Sequence, residues 1–150
     1  MESRRSGYTL AEMLTVIVIL GILANIALPL LHRARTEADA TRIIADFGSI
    51  RHGALHHIAN GAEYPPTAGW GVVPPDLVDD LPTGFRFGYG DADYRWRNWS
   101  VGPGLAGRVA GRGLVAIEIR ATSGAILQEV RDRFGGTSFG SGNRLVLIIE

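Results

Sequence analysis

The stretch Gly7-Tyr8-Thr9-Leu10-Ala11-Glu12-Met13, with the run from Leu14 to Leu31 behind it, decides how this chain folds. That run is eighteen residues long and holds no charge. At about 1.5 Å of rise per residue, a helix from Tyr8 to Leu31 covers roughly 35 Å, enough to cross a hydrocarbon core. Ahead of it, Met1 to Gly7 is polar and carries Arg4 and Arg5. Two arginines favour a cytoplasmic N-terminus and place everything after Leu31 on the far side. A secretory signal peptide has a shorter apolar stretch with a small-residue cleavage site behind it; here helix-friendly sequence continues instead. A generic anchor explains the hydrophobicity but gives no reason for Glu12. A carboxylate at the edge of a span costs a few kcal/mol and calls for a partner. No Lys, Arg or His lies between Glu12 and His32. The partner is therefore not in the same segment, and a cation supplied by another chain would resolve the difficulty.

These residues resemble the N-terminal signature of the type IV pilin and type II secretion pseudopilin family, usually Gly-Phe-Thr-Leu-Ile-Glu. The likeness runs on through the apolar segment to Ala27-Leu28-Pro29. Two departures are mild: Tyr8 stands for phenylalanine and Ala11 for a larger aliphatic residue. The resemblance implies cleavage between Gly7 and Tyr8 by a prepilin peptidase, followed by N-methylation of Tyr8. It implies an assembly contact from Glu12, at the fifth mature position, to the N-terminal amine of a neighbouring subunit. It also puts a helix bend at Pro29. The function implied is that of a non-enzymatic structural subunit, a pseudopilin of a type II secretion or type IV filament system. Its partners would be the peptidase, other pilins in a helical filament, an inner-membrane assembly platform and membrane lipids. It would be a single-pass protein of the bacterial inner membrane, with its C-terminal domain periplasmic, or extracellular after filament assembly. Two alternatives stand beside this. One is a minor pilin that binds DNA or a surface through its outer domain. The other is a membrane-anchored module that never polymerises, against which Glu12 argues.

Past Pro29 the helical pattern resumes. Ala40, Ile43, Phe47, Ile50, Ala54 and Ile58 recur at three- and four-residue spacing, with Arg35, Glu37, Asp39, Arg42 and Arg51 largely elsewhere. This predicts an amphipathic second half that packs one stripe on a domain, with Asn60-Gly61 as the C-terminal stop. Of the twenty glycines, sixteen lie after Asn60, as do six of the seven prolines, so the boundary there is sharp. The expected organisation is a leader over 1–7, a membrane or filament-core helix over 8–31, the amphipathic half of the same helix over 32–60, and a globular pilin-like β domain over 61–150.

The outer domain reads as α+β. Strand-like runs fall at Phe85–Tyr89, Tyr94–Asn98, Leu114–Arg120 and Leu145–Ile149. They predict a four-stranded, mostly antiparallel sheet packed on the long helix. A helical turn is expected over Asp76–Leu81, and a flexible connection over Gly102–Gly113. A short helix capped by Ser123 and ended by Gly135-Gly136 sits between the last two strands, with Ile126, Leu127, Val130 and Phe134 inward.

Few residues here suggest other chemistry. Cysteine is absent, which excludes disulfides, thiolate metal sites and a cysteine nucleophile. His52 and His56, spaced i, i+4, share a helix face as metal pairs do, with His57 beside them, but a third ligand is not obvious and solvated or packed histidines are the expectation. Asp76, Asp79, Asp80, Asp91 and Asp93 could supply oxygen ligands. Major pseudopilins often carry calcium in a C-terminal loop, so Asp79, Asp80, Asp91 and Asp93 are weak calcium candidates, although no EF-hand spacing is present. Neither a metal nor any other cofactor is expected. Arginines beside Tyr94, Trp96 and Trp99 could suggest nucleic-acid stacking. Strand alternation instead puts the aromatic residues on one face and the arginines on the other. Nucleic acid is not the expected partner. Asn98-Trp99-Ser100 matches a glycosylation sequon by pattern, and no hydrolase constellation stands out.

Overall fold

The structure is a computed structural model that describes residues 8–99 and 114–149. The leader residues Met1 to Gly7, the whole of the glycine-rich connection expected over Gly102–Gly113 and Ser100 of the sequon lie outside the described residues. The chain divides into two units after Arg35. One helix, α1 (Leu10–Ala59), contributes to both.

In the first unit every residue from Tyr8 to Arg35 is exposed. The helix is long and apolar enough here to cross a membrane. It is apolar all round, the pattern of a helix whose solvent is lipid or other apolar helices. Its polar side chains fold back onto the backbone. Thr15 Oγ1 donates to the Ala11 carbonyl (2.9 Å) and Asn25 Nδ2 to the Gly21 carbonyl (3.0 Å). Polar groups satisfied inside their own segment are what a hydrocarbon setting demands. The helix runs unbroken through Pro29, which brings no amide donor to the Asn25 carbonyl one turn earlier.

The second unit holds the rest of α1 and the domain packed on it. Ala40, Ile43, Phe47, Ile50 and Ala54 are buried as the spacing predicts, and Ile58 is half-buried. The helix ends at Asn60-Gly61. Gly61, at φ 84°, donates to the Ile58 carbonyl (2.9 Å), and Ala62 donates to His57 (3.3 Å). This is a Schellman stop, in which two otherwise orphaned carbonyls find donors.

Five strands follow, all antiparallel, in the order β1-β2-β3-β5-β4. They are β1 (Gly88–Tyr89), β2 (Ala92–Asn98), β3 (Val115–Arg120), β4 (Ser138–Phe139) and β5 (Arg144–Ile149). The helix α2 (Gly124–Phe134) lies between β3 and β4 in sequence. Register puts Tyr94, Ile119 and Leu145 in one row, Trp96, Ile117 and Leu147 in the next, and Asn98, Val115 and Ile149 in a third. All nine are buried, on the face that carries the core.

Four expectations change in detail. The sheet has a fifth strand, β4, which pairs Ser138 with Leu147 and Phe139 with Val146. Two residues are too few to leave a sequence pattern. The first strand shrinks from five residues to two because the Phe85 amide bonds to Pro82 and Gly84 has positive φ, so the chain is still turning at Phe85. The helical turn expected over Asp76–Leu81 is one 3-10 turn at Pro75–Leu77. Ser123 does precede α2, but its side chain makes no capping bond; Asp91 Oδ2 instead accepts from the Thr122 and Ser123 amides (3.1 and 3.3 Å).

The helix α2 buries Ile126, Leu127 and Val130, and Phe134 meets Phe47 edge-on at 5.0 Å. Its Arg133 reaches Thr41 Oγ1 (2.8 Å) and Glu37 (3.4 Å) on α1. A carboxylate sits inside the core. Asp46, 5% exposed, accepts from the Tyr94 hydroxyl (3.1 Å) and pairs with the exposed Arg42 at 3.2 Å. Burial pushes the Asp46 carboxyl above its ordinary range, and the Tyr94 hydrogen bond and Arg42 offset only part of that. The Tyr94 hydroxyl is pushed far up by its own burial and by the facing carboxylate.

A raised folded value means that the native state holds the Asp46 proton more tightly than the unfolded chain. This contribution to stability is therefore largest in acid and falls as pH rises through the raised value. Asp46→Asn keeps an acceptor for Tyr94 and leaves Arg42 solvated. It is expected to raise the melting temperature at neutral pH and to flatten that fall. A lower melting temperature for Asp46→Asn at pH 7 would show that the ion pair outweighs the desolvation.

Candidate functional site

The start of α1 is a compact hydrogen-bonded unit. Thr9 is the residue before the helix, and its Oγ1 accepts from the Glu12 amide (3.2 Å). In return, Glu12 Oε2 accepts from the Thr9 amide and from the Thr9 hydroxyl, both at 2.8 Å. This is a capping box, Thr-x-x-Glu, which satisfies two donors that a helix start leaves open. The carboxylate also sits in the first turn, where the helix dipole favours negative charge. Sequence reasoning looked for a cation and passed over these neutral partners, although the Thr-x-x-Glu spacing was there to read. They fix where the carboxylate sits without cancelling its charge. Both bonds from Thr9 go to Oε2, and Glu12 lines a shallow groove with Tyr8, Ala11, Thr15 and Val16.

Tyr8, the expected methylation position, is exposed (81%), as is every described residue up to Arg35. Gly7, on the other side of the expected cleavage point, lies outside the described residues.

The histidines near the end of α1 meet a different partner from the one their spacing suggested. His56 Nδ1 lies 2.6 Å from Asp80 Oδ1, and His57 Nδ1 lies 2.7 Å from Asp80 Oδ2. The two histidines pull the Asp80 carboxyl below the usual carboxylate range. Gly53, one turn earlier, makes the approach possible, since a Cβ there would come within 2.7 Å of the Asp80 carbonyl oxygen. The arrangement clamps the loop after α1 to the helix. His52 takes no part in it.

The remaining carboxylates are scattered. Asp93 pairs with Arg120 (2.8 Å), Asp91 holds the entry to α2, and Asp76 and Asp79 are exposed. Among the described residues, no group of three or more His, Cys, Asp or Glu side chains is placed to hold a metal ion. Strand alternation turns Tyr94 and Trp96 to the core and leaves Arg95 and Arg97 half-exposed on the other face, but Trp99, expected with the aromatic residues, follows the end of β2 and lies against Arg97, its ring 5.1 Å from the guanidinium.

Residues 3–28 match the family described as the prokaryotic N-terminal methylation motif. The N-terminal part of the chain is similar to that of type II secretion and type IV fimbrial proteins. Among curated relatives, a type II secretion system core protein G of Aeromonas hydrophila is 36% identical over 66 residues, which is 44% of this chain and 46% of that protein. The core protein G of Dickeya chrysanthemi is 34% identical over 67 residues, 45% of this chain and 44% of the relative. Fimbrial protein EcpB of Eikenella corrodens is 38% identical over 58 residues, 39% of this chain and 36% of the relative. The chain thus spans less than half the length of these relatives. No solved structure matches it significantly.

Proposed function

We propose that this chain is a structural, non-enzymatic subunit of a type II secretion or related type IV filament system. The observation that carries the reading is the position of Glu12. A carboxylate held at the head of an apolar helix has a fixed place and an uncancelled charge. In a bilayer, or in a bundle of such helices, that charge needs a cation. Cleavage after Gly7 creates one, the new amine of Tyr8, and a neighbouring copy can present it to Glu12. The leader and span orient the chain in the inner membrane with its N-terminus cytoplasmic. Apolar sides that lie in lipid before assembly lie against other helices afterwards. Pro29, which removes one helix hydrogen bond, gives the helix a place to bend as it moves from one setting to the other.

Replacing Gly7 with a bulky residue is expected to leave the leader uncleaved. The chain would then migrate as the longer precursor on gels and keep its original N-terminus by mass spectrometry. Normal processing of that variant would overturn the assignment of the cleavage point.

A further inference from the structure

The sheet face turned away from α1 carries an excess of guanidinium groups. Register brings Arg95 beside Glu118, and Asp93 beside Arg120, which in turn faces Arg144. Arg95 donates to Glu118 through a short ion pair, while Arg97 and Arg144 approach that same carboxylate only to 3.8 Å. Arg120 is held by Asp93. Four guanidiniums therefore share two carboxylates. Arg97 Nε is buried and has no hydrogen-bond acceptor among the described residues. The cations are also held in place. Arg95 and Arg120 lie 4.4 and 4.6 Å from the Trp70 ring, and Arg97 lies 5.1 Å from Trp99. Stacking of this kind fixes an arginine at little entropic cost and leaves its N–H edge to bind an oxyanion.

The complementary charge is elsewhere on the same domain. Glu63 and Asp76 line an open cleft with His57, Tyr64 and Pro66, and Asp79 follows close behind in sequence. All three carboxylates are exposed, and among the described residues none of them joins an ion pair. The chain is neutral overall, so its charges are segregated and not scarce. We infer that the arginine face of one copy docks on the Glu63–Asp76 cleft of the next copy. Two different patches that fit each other give a head-to-tail contact, which propagates instead of closing into a dimer. This rests on the filament reading and adds the contact between outer domains that sets their order. Nucleic acid is the poorer occupant because the Trp70 and Trp99 rings already carry guanidiniums where a base would stack. Rim ion pairs are individually weak, so the contact supplies register more than strength.

The absence of native cysteine allows a direct test in the full chain assembled in its host membrane. Arg144→Cys in one copy and Asp76→Cys in another, both at exposed positions, are treated with a short bismaleimide. A crosslinked pair is expected severalfold above the control of Arg144→Cys with Thr83→Cys, and a ladder of multimers is expected when one chain carries both substitutions. Arg97→Glu with Arg144→Glu, probed through a cysteine pair at neighbouring sites, should lose the crosslink. Adding Glu63→Arg with Asp76→Arg should restore it. Filaments that form normally while the crosslink stays at control level would overturn this contact and leave the filament reading standing. If the unmodified chain forms no multimers, both fall. Single-stranded DNA that protects the arginine face in place of a second copy would also overturn the contact.

Discussion

Trp96→Ala is expected to destabilise the outer domain by about 3–5 kcal/mol, the usual cost of emptying a large aromatic site. The ring is fully buried in the middle row of the sheet, beside Ile117 and across from Leu147 on the far strand. Its Nε1 donates to the Pro65 carbonyl (2.9 Å), which ties the start of the loop after α1 to the core. The loss of that bond is softened because Asn98 Nδ2 also donates to Pro65 (2.8 Å). The cavity is therefore the larger part of the effect. Folded domains hold only about 5–15 kcal/mol in total, so this single change takes a large share of the margin. The check is urea unfolding of the chain in detergent, followed by far-ultraviolet circular dichroism. A loss under about 1 kcal/mol would mean that the surrounding side chains collapse into the space far more easily than close packing allows.

Periodicity made most of this fold legible. The apolar stripe from Ala40 to Ala54, the alternation of Tyr94-Arg95-Trp96-Arg97 and the aliphatic runs of β3 and β5 all appear where their spacing put them. Long-range pairing was not legible. Asp46 lies on the apolar stripe, where Arg42 one turn earlier is a local partner but the Tyr94 hydroxyl arrives from the sheet. His52 and His56 have the spacing of a helical metal pair, whereas the partner that His56 and His57 actually meet, Asp80, is more than twenty residues away and reaches them only because Gly53 leaves room. The arginine excess of the outer face is likewise a product of register, since it brings Glu118, Arg120 and Arg144 from separate strands to the arginines of β2. The capping box differs from these. It is local and follows a known spacing, but the search for a cation for Glu12 drew attention away from Thr9.

Two substitutions at Glu12 separate its two roles. Glu12→Ala removes the charge and the reciprocal half of the capping box; loss of such a cap costs about 0.5–2 kcal/mol of helix stability. Glu12→Gln removes the charge alone, because glutamine also serves at this position of a capping box. A neutral side chain inserts into a bilayer more readily than a carboxylate, so both variants should reach the membrane at least as well as the wild type. If Glu12 acts by meeting the amine of a neighbouring copy, both should fail to assemble while still being cleaved after Gly7. Crosslinked multimers would then be lost to the same extent in the two variants, even though only alanine weakens the first turn of α1. The measurement is multimer yield after crosslinking, with membrane content and leader removal followed in parallel. Assembly of Glu12→Gln at the wild-type level would leave Glu12 as a helix cap and remove the charge from the mechanism. Failure of glutamine and alanine alike would place the requirement on the charge, which no partner within its own helix can neutralise.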